Sequence, residues 1–252
     1  MRALVLLAVA VLTASPALAQ SRAELDARRA IIEQRDANAT PDATARKARS
    51  IARMRAEDVP VRESLPVIEG ESQALRRTKE EIAYRAMSLL AVAARGEGVE
   101  REVVLQVSED YGLGPHFSPA ERAFLNDGTP SDHDRIQFTW RYEAAWVMLW
   151  ALGYVESLDR PDHICDVPQA IEAMLSRSAE QFIADARLRP HAEILDEADL
   201  IYRYHWAVVE ARVQGEPVPA GLDPGVAMER HHALNWLIGY LGQAWDEVST
   251  DT

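Results

Sequence analysis

Ala144-Ala-Trp-Val-Met-Leu-Trp-Ala-Leu-Gly-Tyr-Val155 is apolar on every side. These twelve residues fall short of the roughly 20 that a helix needs to span a bilayer, so the stretch reads as a core helix surrounded by others. Trp146, Trp150 and Tyr154 make it an aromatic centre for packing.

Working outward, helix starts recur on both sides. Thr78-x-x-Glu81 is a capping box, and Ile82, Ala86, Leu89 and Ala93 form one face of the helix it opens, with Gly96 read as its end. Glu100 to Tyr111 is a second helix. Ser118-Pro-x-Glu121 opens a short third. Asp132 or Asp134 opens a long fourth, reaching about Ser157 through the central stretch. Asp166-Val-Pro-Gln169 opens a fifth, with Ile171, Met174, Leu175, Phe182 and Ile183 at helical spacing. A sixth runs from about Ala192 to Gln214, and a seventh from Asp223-Pro224 to about Gly242. No stretch alternates as a strand does. The expected class is all-α: one bundle-like domain of about seven helices over 78–252, behind a charged helical N-terminal arm at 20–58 and an extended connector at 59–77 containing Pro60, Pro66 and Gly70.

The first 19 residues read as a secretory signal peptide. Arg2 precedes the apolar run Ala3 to Leu12, and Ala17-Leu-Ala19 supplies an A-x-A cleavage site. The mature chain is therefore expected to begin at Gln20 and to be periplasmic or secreted, with no membrane span after cleavage. Cys165 is the only cysteine, so no intramolecular disulfide is available. Asp162 and Asp166 beside it would raise its pKa, which makes it an inert thiol.

The chain carries a formal charge of −13. Residues 20–58 hold 9 basic and 7 acidic side chains, and residues 59–252 hold 17 and 33. A body this negative repels phosphate backbones and anionic membrane surfaces, so nucleic acid is not an expected partner.

Several blocks occur in a telling order. They are Leu65-Pro-Val-Ile68, Trp140-Arg-Tyr-Glu-Ala144, Leu149-Trp-Ala-Leu-Gly153, the run from Glu193 through Asp199, Arg203 and His205 to Trp206, Glu229-Arg-His-His-Ala-Leu-Asn-Trp236, Trp245-Asp246 and Thr250-Asp-Thr252. Together they resemble the bacterial family called domain of unknown function 4272, over about residues 45–252. The resemblance implies that the body is one domain. It implies no activity.

Polar side chains on apolar helix faces are the remaining signal. At about 100° per residue, Arg230 falls inside the stripe of Val226, Ala233, Leu234 and Leu237. His205 falls among Ile194, Ala198, Ile201 and Val208, and Glu143 among Ile136, Trp140, Val147 and Ala151. Two readings stay open. In one, Glu143 and Arg230 form a bidentate buried ion pair and His205 is a satisfied core histidine. In the other, all three line a pocket, with Arg230 clamping an anionic ligand and His205 or Glu143 accepting a proton.

Glu229-x-x-His232 has the spacing of carboxylate–imidazole metal ligation, but it stands alone and at the rim of its stripe, so no metal is expected. Asp199 and Arg203 read as an outer-face pair. There is no Gly-rich phosphate loop, nucleophile elbow, H-E-x-x-H or cysteine pair, and no cofactor is expected. The functional expectation is a periplasmic binding or interaction module without catalysis, taking a small anionic ligand or a protein partner. The alternative is an enzyme acting on a small anionic substrate in a pocket of Glu143, His205 and Arg230.

Overall fold

The computed structural model describes residue 27, residues 30–34 and residues 36–252. Residues 1–19, read from the sequence as a signal peptide, lie outside the described residues. The fold is all-α and forms a single domain, with no strand among the described residues. Its helices are α1 (Pro41–Ala56), α2 (Lys79–Glu97), α3 (Arg101–Asp110), α4 (Pro119–Asn126), α5 (Asp132–Thr139), α6 (Arg141–Ala151), α7 (Val167–Leu175), α8 (Ala179–Asp185), α9 (His191–Gln214) and α10 (Pro224–Leu237). None is long and apolar enough to cross a membrane.

The packing order is α1 on α9, α9 on α10, α10 on α6, and α6 on α2; α5 and α3 then cover α2. Every residue of α6 from Tyr142 to Ala151 is buried, as an all-round apolar helix must be. The capping boxes at Thr78 and Ser118 both form reciprocally, with Glu81 and Glu121 at their third positions. Asp166 and Asp223 cap α7 and α10 through their side chains.

Four of the expected helices have different bounds in the structure. α2 runs past Gly96 and stops at Gly98, whose φ of +118° supplies the left-handed cap. Gly96 instead serves a crossing: a Cβ there would sit 2.7 Å from the Arg135 carbonyl oxygen and 2.7 Å from the Thr139 nitrogen. The expected long fourth helix is two. At Trp140 the ladder tightens, with Glu143 N–H donating to the Trp140 carbonyl at 3.0 Å, and the Trp140 ring lies against Gly225 at the start of α10.

α6 then ends at Ala151 because residues 187–189 cross its terminus. Arg187 and Arg189 N–H groups donate to the Leu152 and Ala151 carbonyls at 2.8 and 2.9 Å. The Arg189 guanidinium donates to the carbonyls of Trp150, Val155 and Glu156. The expected fifth helix also divides, because Ser178 and Gln181 make a capping box that starts α8 afresh. α10 stops at Leu237, and Gly239 turns the chain into a short 3-10 turn.

The sequence separates residues 20–58 as an arm. Of these, α1 lies directly on α9. Arg46, only 2% exposed, donates to Asp196 at 3.1 Å, to the Glu69 carbonyl at 3.2 Å and to Asp42 at 3.2 Å. Lys47 donates to the Leu65 carbonyl, and Met54 is fully buried. The connector residues Val59, Leu65, Val67 and Ile68 are buried too.

Gly96→Ala tests the α2–α5 crossing by its sign. Helix propensity alone gives a gain of about 1 kcal/mol. The backbone collision with α5 should instead cost about 1–3 kcal/mol. Urea denaturation of the two proteins decides between them.

Candidate functional site

Two ion pairs join α6 to α10. Arg230 Nε donates to Glu143 Oε2 at 3.2 Å, and Arg230 Nη1 donates to the Asp159 carbonyl at 2.6 Å. Both residues are buried. The expected fork does not form, because the second oxygen of Glu143 accepts the Cys165 backbone N–H. Beside this pair, Arg141 Nη1 donates to Glu229 Oε2 at 2.8 Å. Glu229 is therefore buried at the helix seam, not partly exposed at its rim. Burial pushes its carboxyl pKa up, and Arg141 opposes that rise.

His205 is not with them. Its Nδ1 lies 2.9 Å from Nδ1 of His231. His231 Nε2 lies 3.1 Å from Nδ2 of Asn235, and that same amide nitrogen donates to the Ser249 carbonyl at 2.9 Å. The Ser249 contact fixes Nδ2 as the donor. His231 Nε2 must then accept, so the neutral ring carries its proton on Nδ1 and donates it to His205. His205 in turn keeps its proton on Nε2. Burial holds His205 at a pKa of about 4, with the Arg212 charge adding to the effect. Burial, then the two neighbouring histidines, push His231 well below the ordinary range. Both rings are neutral at pH 7.

Above this relay is a cleft of about 430 Å³. Its base is His231 and Asn235. Tyr202, Trp206, Leu65 and Ile68 line its apolar walls, and Arg62 and Ser64 stand at one side. Asp199 and Arg203 hold a wall in place. They form a buried fork, with Nε and Nη2 each 2.8 Å from a carboxylate oxygen, and Arg203 also donates to the Pro66 carbonyl at 3.2 Å. The outer-face assignment of this pair fails because residues 65–68 cover that side of α9.

The three residues singled out in the sequence thus face different spaces. Glu143 borders an apolar recess of about 280 Å³ with Ile164 and Cys165, while Arg230 borders a near-closed void of about 10 Å³. His205 reaches the cleft only through His231. The Cys165 thiol is pushed far above its ordinary pKa, chiefly by burial and then by Glu143; Asp162 and Asp166 are not the cause. The His232 ring stands edge-on to Trp245 at 4.6 Å, apart from any metal role with Glu229. Among the described residues no three His, Cys, Asp or Glu side chains gather to hold a metal ion.

The family model described as "Domain of unknown function (DUF4272)" matches residues 46–248. The chain belongs to this family. No curated protein and no solved structure matches it. The DUF4272 span contains both ion pairs, the histidine relay and the base of the cleft. Ile32, Glu33, Asp251 and Thr252, which complete the cleft mouth, lie outside it. Sequence reading missed His231 and Asn235, although their i, i+4 spacing on one helix was a usable signal.

Removing one partner of a buried pair strands the other charge. Arg230→Met should cost about 3–5 kcal/mol, read as a lowered denaturation midpoint. Glu143→Gln should cost a similar amount, since an amide oxygen that keeps the Cys165 N–H turns its NH2 toward the Arg230 guanidinium, donor against donor.

The histidines set a pH dependence. Above about pH 6.5 a histidine is neutral in both folded and unfolded chains and adds no slope. Below it the unfolded ring takes a proton that the folded His205 refuses until about pH 4. Stability should fall through this window by about 1.4 kcal/mol per pH unit for each such ring. Chemical denaturation between pH 7 and 5 should show the slope, reduced by one ring's share in His205→Gln.

Proposed function

We propose that this DUF4272 protein is an exported, non-catalytic binding module whose ligand seat is the cleft above His231 and Asn235. The observation that carries the reading is that both ring nitrogens of His231 are already engaged by the protein. The imidazole at the cleft floor is thereby fixed as structure and has no nitrogen left to abstract a substrate proton. A volume of 430 Å³ lies within the range of about 300–1,000 Å³ typical of small-molecule sites. Aromatic and aliphatic walls suit a flat, mostly apolar small molecule, and the mouth offers charges of both signs to its polar end, Arg62 against Glu33 and Asp251. The signal-peptide reading of residues 1–19 supports a periplasmic or secreted location.

An enzyme built on Glu143, His205 and Arg230 is the reading that these contacts favour less. Two of these residues neutralise each other at a helix seam, and the third is bound to another histidine.

The test is native mass spectrometry of the protein isolated from the periplasm. The chain should start at Gln20 and carry a small molecule that is released on denaturation. Ser64→Trp, at an exposed cleft position, should fold normally and lose that molecule. A ligand-free wild-type spectrum, or equal occupancy in Ser64→Trp, would overturn the cleft as the seat. A cytoplasmic chain retaining Met1 would overturn export.

A further inference from the structure

A second cavity, of about 270 Å³, lies away from the cleft and stands independently of the proposed function. It forms where Arg76 and Arg77, ahead of α2, meet Arg189 and His191 at the start of α9, with Leu237 of α10 closing it. Three guanidinium groups around one hollow are conspicuous in a chain of net charge −13.

We propose that this cavity binds hydrogen phosphate. Arg77 is pre-positioned for an oxyanion. Its Nε donates to the Trp236 carbonyl at 3.1 Å, and its guanidinium lies 4.5 Å over the Trp236 ring. Its Nη1 is paired with the half-exposed Glu81 at 3.6 Å, a partner that an incoming anion would displace. Arg189 is anchored by the three carbonyls at the end of α6, and it shares one terminal nitrogen with Glu193 at 3.2 Å. Arg76 is the exposed member, paired with Glu71 at 3.4 Å. The 24-residue helix α9 opens here behind Pro190 with no side chain capping it; Glu193 in its first turn offsets part of the dipole and is itself paired with Arg189.

The independent observation is His191. It is 4% exposed and lines the cavity, and its Nε2 is buried with no hydrogen-bond partner. An orphaned buried nitrogen is costly to leave unpaired, so it marks a place where a ligand is missing. Its other nitrogen faces the Leu75 carbonyl, and burial, then Arg76, keep the ring uncharged. With the proton directed at Leu75, Nε2 is a lone-pair acceptor. It therefore calls for an anion that also carries an O–H donor. Hydrogen phosphate has one such group and three further oxygens for the arginines and the helix terminus. Sulfate has no proton to give at neutral pH.

Isothermal titration of the full mature chain at pH 7.5 and fixed ionic strength tests this directly. Inorganic phosphate should bind at one site. Sulfate should bind about tenfold more weakly or less, because it leaves Nε2 unpaired. Arg76→Gln, at an exposed position, should weaken phosphate about tenfold. His191→Phe should make phosphate and sulfate equivalent; should that variant fail to fold, the wild-type ratio and Arg76→Gln carry the test. No phosphate binding by folded wild type, equal affinity for the two anions, or an unchanged Arg76→Gln would each overturn the proposal.

Discussion

The seam between α6 and α10 is the constraint on which the rest of the molecule depends. Arg141 and Glu143 on one helix meet Glu229 and Arg230 on the other, so each helix presents one charge of each sign to its partner. A buried ion pair is a modest net stabiliser, because desolvation offsets most of its attraction. A mismatched one is costly. Sliding α10 along α6 would strand buried charges or oppose like ones. The double pair therefore acts as a register key at the centre of the stack, where apolar packing alone would tolerate several alignments. Whatever α10 carries on its other faces is then placed too, including His231 and Asn235.

From that seam the site is built by tethers of side chain to backbone. Arg203 reaches from α9 to the Pro66 carbonyl, Arg46 from α1 to the Glu69 carbonyl, and Lys47 to Leu65. These contacts draw residues 65–69 over α9 and make the cleft wall out of a segment with no regular structure of its own. Arginine suits this task. Its fork can satisfy a carboxylate and a carbonyl at once and remains charged when buried. Arg189 does the same at the end of α6, where it replaces a helix cap.

Much of this was legible in the sequence. Caps at Thr78, Ser118, Asp166 and Asp223 mark real helix starts, and α9 lies almost where its period and Gly215 put it. The inward faces of Glu143 and Arg230 were equally visible on a helical wheel. What failed did so for tertiary reasons. Nothing local breaks the helix at Trp140; its ring packs on Gly225, from a distant helix. The Ser178 box was present in the sequence but overridden by an apolar period that continues across it. Asp199 and Arg203 have the spacing of a surface pair, and only the covering segment buries them. α1 has few apolar residues because hydrogen bonds from Arg46 and Lys47 do much of its docking. Arg141 and His231 escaped, and Glu229 was placed at the rim, because α6 and α10 are surrounded, so a single apolar stripe cannot describe either.

The relay beneath the cleft shows how a conspicuous residue type can mislead. Two buried histidines in contact suggest proton chemistry. Yet the hydrogen bonds run in one direction, from the Asn235 amide through His231 to His205, and every nitrogen of His231 has a fixed role. Protonating His231 would require Nε2 to give up its bond from Asn235, which would leave the amide facing a second donor in a dry site. Burial holds both rings below the ordinary histidine range, and the bond from Asn235 gives His231 a second, geometric reason to stay neutral. Because the floor cannot change its protonation near neutral pH, the cleft presents one polar pattern to anything that enters it. Recognition then depends on the walls and mouth. The floor lies inside the DUF4272 span, whereas Ile32, Glu33, Asp251 and Thr252 at the mouth lie outside it. The floor and apolar walls of the cleft coincide with the family's span, and part of its mouth comes from segments beyond that span.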